Sequence, residues 1–182
     1  MSTRRPADRL FLVGMSGAGK SSVAAAAAAR LGWSAWDSDV EITARDGRSI
    51  PQIFTQDGEP AFRALERDVV DALSDRPCAV GALGGGAMAD ALTRERLLDR
   101  GLVAWLQVSP DVAADRLQAK LADEPRPMLG DDPRRRLADL IAAREAAYRQ
   151  AHVHLDTDRR SVAEVADALA AEVRAAKASS PA

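Results

Sequence analysis

Residues 10–21 read LFLVGMSGAGKS, and this stretch decides the fold. Leu10, Phe11, Leu12 and Val13 form a short apolar run that stops on Gly14, the pattern of a strand buried on both faces. From Lys20 to Leu31 the chain is rich in alanine, the best helix former, and it halts at Gly32. Between strand and helix, Gly14 to Ser21 fits G-x-x-x-x-G-K-S, the phosphate-binding P-loop. Its glycines let the backbone curl so that several N–H groups point inward at phosphate oxygens. Lys20 is placed to reach the outer phosphates, Ser21 to ligate Mg²⁺, and the helix start adds its positive dipole end.

Working outward, strand and helix signals alternate to the end of the chain. Trp33–Trp36 reads as a strand, followed by a helix capped by Asp37 or Ser38 and closed by Gly47. Ser49 and Gly58 bracket a short helical segment, and Glu59–Leu73 a longer amphipathic one. Strand signals follow at Cys78–Leu83, Leu102–Val108 and His152–Leu155. Helices are expected at Thr93–Arg100, Asp111–Leu121, Arg134 to about Gln150, and Val162–Lys177. That alternation predicts an α/β domain of three layers, parallel strands with crossover helices. One stretch breaks it: DEPRPMLGDDP, residues 123–133, carries three prolines and a glycine and reads as a lid between two helices, about residues 120–133. No linker or repeat divides the chain, so 1–182 is read as one domain with its core at about 9–177.

Composition narrows the class. The chain has 25 Lys plus Arg against 27 Asp plus Glu, a formal charge of −2, which disfavours general nucleic-acid binding. Aromatics make up 4% of residues, so the core is built mainly from Ala, Leu and Val. A single cysteine, Cys78, excludes an internal disulfide and fits a reducing compartment. No apolar run approaches the ~20 residues of a membrane span, and residues 1–9 lack a signal-peptide pattern. A cytoplasmic protein is expected, with no membrane or nucleic-acid partner. The absence of a sustained apolar heptad makes a monomer the default.

Four further groups carry potential chemistry. Asp37-Ser38-Asp39 ends the second strand, on the rim where the P-loop opens. One carboxylate there could hold a magnesium water and the other a hydroxyl, although helix capping by Asp37 would also explain the pair. Arg63 and Glu66 lie three apart on one helical face. They make either a guanidinium held ready for a carboxylate or an ordinary surface ion pair. Gly84, Gly85 and Gly86 follow the third strand, where a flexible turn would need fewer glycines. In the lid, Arg126 is placed to neutralise charge on a transferring phosphoryl group, and Arg144 is a second fork one turn before Tyr148. Arg134–Arg136 read as a solvated face, and His152 with His154 as hydrogen-bonded histidines rather than a metal pair.

Together GMSGAGKS, DSD, SIPQIFTQDGEPAFRALE, ALGGG, RPML and R-x-x-x-Y, in this order, resemble the shikimate kinase family across nearly the whole chain. The resemblance implies a nucleoside-monophosphate-kinase-like P-loop fold with a five-stranded parallel sheet in order 2-3-1-4-5. It implies transfer of the γ-phosphoryl of ATP to the 3-hydroxyl of shikimate, in aromatic amino acid biosynthesis. By similarity, ATP would lie on Gly14, Gly17, Ala18, Gly19, Lys20, Ser21 and Ser22, with Arg116 stacked on adenine and Arg126 over the phosphates. Mg²⁺ would be held by Ser21 and, through water, Asp37. Shikimate would be bound by Arg63 and Arg144 at its carboxylate and by Asp39, Gly84, Gly85 and Gly86 at its hydroxyls. Asp39 would be a possible base, with Lys20 and Arg126 assisting transfer and Glu66 orienting Arg63. Ser22, the long 120–124 segment and Val162 depart from the family pattern. The alternatives are another small-molecule kinase of this fold, such as a gluconate kinase, and a catalytically silent nucleotide-binding regulator.

Overall fold

The computed structural model describes residues 7–121 and 132–178. Five parallel strands form one sheet: β1 (Arg9–Val13), β2 (Ser34–Asp37), β3 (Ala79–Ala82), β4 (Leu102–Gln107) and β5 (Val153–Asp156). Their order is β2-β3-β1-β4-β5, as expected, and β1 lies between β3 and β4 with Phe11 opposite both Gly81 and Val103. Its apolar run is buried because both faces are covered. Leu10 and Leu12 point to one layer, Phe11 and Val13 to the other, the two-residue period of a strand. Each such side chain contributes about 1.5–3 kcal/mol through burial.

The two layers are built differently. One holds α1 (Lys20–Leu31) and α7 (Val162–Ala178). Here Ala24, Ala27 and Ala28 meet Val165, Ala166 and Leu169, so small side chains bring the helices close to the sheet and to each other. An ion pair from Arg30 to Asp167 ties their outer faces. The other layer holds α2 (Ser38–Asp46), α3 (Ile50–Ser74), α4 (Ala91–Arg100), α5 (Pro110–Leu121) and α6 (Pro133–Tyr148). It gathers the aromatics Phe11, Trp36, Phe62, Trp105 and Tyr148. Gly81 belongs to this arrangement, since a Cβ there would overlap the Trp36 indole of the neighbouring strand.

Several boundaries differ from expectation for local reasons. The two segments around Gly58 form one element, α3, kinked where Gly58 takes φ 82° and ψ 171°. Ser49 opens it with a reciprocal capping box to Gln52. Asp37, not Ser38, caps α2. Asp90 accepts from the Thr93 amide at 2.8 Å, which starts α4 two residues earlier than predicted, after a 3-10 turn at Ala87–Ala89. Helix α5 continues to Leu121 and α6 begins at Pro133, so both ends of the expected 120–133 lid are helical; Arg126 lies outside the described residues. Among the described residues no helix is long and apolar enough to cross a membrane.

Candidate active site

The loop after β1 is shaped by backbone. Gly14, Gly17 and Gly19 all have positive φ, at 138°, 86° and 87°. A Cβ at Gly14 would overlap the Leu106 carbonyl, and one at Gly17 would lie 2.7 Å from the carbonyl oxygen of Ala113. The loop is therefore wedged between β4 and α5, and only glycine fits at either contact. Ala18 is buried and closes the turn by donating its amide to the Met15 carbonyl at 3.2 Å. Lys20 Nζ donates to the carbonyls of Gly14 at 2.8 Å and Met15 at 3.0 Å, curling over its own loop. Helix α1 has Gly19 as its N-cap, no side-chain cap and no acid in its first turn, so its positive end is left to an anion. Ser22 is exposed in that turn.

At the end of β2, Asp37 serves two purposes. Its Oδ1 accepts from the Asp39 amide at 2.9 Å, and its Oδ2 accepts from Ser21 Oγ at 2.5 Å. Capping and proximity to the P-loop hydroxyl thus hold together. The Ser21 hydroxyl and Asp37 carboxylate form a set of hard oxygen donors that fits Mg²⁺.

The Gly84–Gly86 run is where the other elements converge. A Cβ on Gly84 would lie 2.5 Å from Glu66 Oε1, 3.0 Å from Asp39 Oδ1 and 3.6 Å from Ser38 Oγ. One on Gly85 would lie 3.2 Å from Arg144 Nη1, and one on Gly86 would collide with the Arg63 guanidinium. Three consecutive glycines thus let two guanidiniums and two carboxylates close on one strand end. The two arginines arrive from α3 and α6 onto neighbouring residues, a cationic pair that matches a carboxylate.

Buried partners hold this geometry. Arg63 Nη1 donates to Glu66 Oε2 at 2.7 Å, and the Glu66 side chain is 4% exposed. Burial raises the Glu66 pKa, against the pull of Arg63. Glu66 Oε1 has no hydrogen-bond partner among the described residues and faces Asp39 across Gly84. Tyr148 donates its hydroxyl to the Gly85 carbonyl at 2.5 Å, and burial pushes its pKa up to about 12. Arg144 Nη1 lies 3.5 Å from Met15 Sδ, which links the arginine to the P-loop. A cavity of about 220 Å³ opens beside Arg63, Glu66 and Gly86. Another of about 310 Å³ lies on the far side of Met15, toward Trp105, Ile141 and Asp158.

The structure therefore gathers Lys20, Ser21, Asp37, Asp39, Arg63, Glu66, Gly84–Gly86 and Arg144 around one rim. Arg116 sits at its edge, where it donates to the carbonyls of Gly17 at 3.3 Å and Thr157 at 2.6 Å. It clasps the P-loop to the segment after β5. Sequence reasoning missed Ser38, whose buried Oγ accepts from the Gly84 amide at 2.8 Å, and Thr157, which is also buried. The serine inside DSD was a signal that could have been read; Thr157 carried none. Elsewhere His152 Nδ1 accepts from the Val103 amide at 3.0 Å, and His154 Nε2 lies 3.1 Å from the Ala151 carbonyl. Arg134–Arg136 are exposed, with Arg134 paired to Asp111 and Asp115 of α5.

Comparison with known proteins agrees with this geometry. The family model for shikimate kinase matches residues 16–174. A shikimate kinase from Caulobacter vibrioides is 41% identical over 152 residues, covering 83% of this chain and 74% of that protein. One from Halorhodospira halophila is 43% identical over 151 residues, covering 82% and 84%. Among solved structures, shikimate kinase from Acinetobacter baumannii in complex with shikimate superposes with a TM-score of 0.86. It is 35% identical, covering 93% of this chain and 94% of that one. A gluconokinase from Sinorhizobium meliloti shares the fold alone, at 18% identity and a TM-score of 0.60. With the P-loop, the paired arginines and the glycine run on one rim, and a family model covering most of its length, the chain belongs to the shikimate kinase family.

Proposed function

We propose that the chain transfers the γ-phosphoryl group of ATP to the 3-hydroxyl of shikimate, giving shikimate 3-phosphate and ADP in the route to chorismate. The observation that carries this is the approach of Arg63 and Arg144 to adjacent glycines, with Asp39 and Glu66 at the next glycine and the P-loop beside them. A compact acid with ring hydroxyls needs a cationic clamp at one end and an oxygen acceptor at the other, and both sit within reach of the phosphate cradle.

Arg63 and Arg144 clamp the carboxylate, and Glu66 holds Arg63 in its pose. Asp39 accepts the proton of the attacking hydroxyl as that oxygen bonds to phosphorus and the bond to the ADP oxygen breaks. The amides of Gly14–Ser22 cradle the phosphates and Lys20 leaves its loop carbonyls to follow the transferring charge, with Arg126, outside the described residues, assigned the second neutralising cation. Arg116 supports the nucleotide end. Ser21 and Asp37 would hold Mg²⁺, which when bound neutralises phosphate charge. The enzyme works as a monomer in the cytoplasm, with no nucleic-acid or membrane partner.

An ADP-release assay with MgATP and, in turn, shikimate, gluconate, AMP or no acceptor tests the reading. ADP formed only with shikimate is the expected result. ADP with gluconate or AMP would overturn the acceptor assignment, and nucleotide binding without turnover on any acceptor would favour a regulator.

A further inference from the structure

The Arg63 guanidinium is already held by two glutamates. Its Nε and Nη2 both donate to Glu59 Oε1, at 3.2 and 3.0 Å, while Nη1 donates to Glu66 Oε2 at 2.7 Å. The edge carrying Nε and Nη2 presents two parallel N–H groups, the fork that binds a carboxylate in two-point fashion. Glu59 occupies that edge. The two glutamates also differ in how easily they yield: the Glu59 side chain is 63% exposed and that of Glu66 4%. Swinging Glu59 into water desolvates nothing, whereas freeing Glu66 would strand a buried charge.

The backbone ahead of Glu59 is clamped. Arg48 Nη2 donates to Asp57 Oδ2 at 2.6 Å and to Asp46 Oδ2 at 3.0 Å, and Gly58 makes its kink directly after Asp57. A rotation of the Glu59 side chain alone is then enough to open the fork. Two carboxylates on one guanidinium also leave that group net negative, which repels an arriving anion until one of them leaves.

Resting on the reading that Arg63 receives the substrate carboxylate, we infer that Glu59 is an internal stand-in for that carboxylate. It fills the fork when the acid is absent, is displaced by it, and so sets the affinity for acid substrates. Glu59 is a specificity-setting residue rather than a catalytic one. It excludes weak anions from Arg63 and gives way only to one that Arg144 and the glycine run also hold.

The test is calorimetric titration of the wild type and Glu59→Gln with shikimate, with shikimate methyl ester and with ATP. Loss of a competing exposed ion pair should tighten shikimate binding by about two- to fivefold. The uncharged ester and ATP should bind both proteins equally, and unchanged ATP binding reports an intact fold. Equal shikimate affinity in the two proteins would overturn the proposal, as would an equal gain for the ester. Weaker binding by Glu59→Gln would also overturn it, showing that Glu59 positions Arg63 instead of competing. If wild type failed to bind shikimate at all, the functional reading itself would fall and take this proposal with it.

Discussion

The two ends of the site are built on opposite plans. At the phosphate end, one continuous segment from Gly14 to Ser22 supplies nearly everything, and its shape is a matter of backbone dihedrals and glycine contacts. At the proposed acid end, Asp39, Arg63, Gly84–Gly86 and Arg144 come from four segments of the chain, and the shape depends on charge pairs packed against bare main chain. The difference teaches where each end is fragile. A contiguous loop is set by local sterics, whereas the assembled end is set by partners far away in sequence, such as Tyr148 on Gly85 and Ser38 on Gly84.

If the ends are separable in this way, substitutions should split by end. The largest effect belongs to Lys20→Ala, which should lower kcat on the order of 10³-fold by removing a charge that follows the phosphoryl group. Calorimetry should show shikimate affinity nearly intact, and a parallel loss of acid binding would erase the distinction. Gly86→Ala comes next. The three atoms nearest the new Cβ all belong to the guanidinium at the far end of the flexible Arg63 side chain, so the fold should survive while that guanidinium is displaced. The KM for shikimate should rise about tenfold, the range of one charged hydrogen bond, with the KM for ATP unmoved.

Ser38→Ala should act on stability. It strands the Gly84 amide beside a fully buried position, so denaturant unfolding should show a loss of about 1–3 kcal/mol. An unaffected midpoint would mean that the glycine run does not depend on the first residue of α2 for its position. The smallest effect is a pH slope. Burial raises the folded pKa of Glu66 above the ordinary 4.5, so the folded state holds this proton more tightly than the unfolded chain. Its contribution to stability is greatest below pH 4.5 and is lost as pH rises through the folded value. Thermal melts of Glu66→Gln should lack that decline, and parallel curves for both proteins would remove Glu66 as its source.

The same contrast explains what could be read from sequence. The strand at Leu10–Val13, the loop and the alanine helix are local patterns whose physics lies within a dozen residues, and the sheet order followed from family resemblance. That Asp39, Arg63 and Arg144 meet around three glycines followed only from the resemblance, because residue spacing within each element says nothing of a meeting that depends on the sheet's strand order. The Arg63–Glu66 spacing alone could not tell a surface ion pair from a buried one; the 4% exposure of the Glu66 side chain shows that it is buried. Ser38 and Thr157 went unread because a small buried hydroxyl shows its role only when its partner across the fold is known. Gly58 signalled a break, yet the helix resumes at once and the two segments merge into one kinked element.

The most direct test of the account is steady-state kinetics of Arg63→Ala with each substrate varied in turn. Loss of one arm of the clamp should raise the KM for shikimate about 10- to 100-fold, the scale of charge-assisted hydrogen bonds, and leave the KM for ATP within about twofold. Equal losses for both substrates, or no loss for either, would contradict a site with a separate acid-binding end.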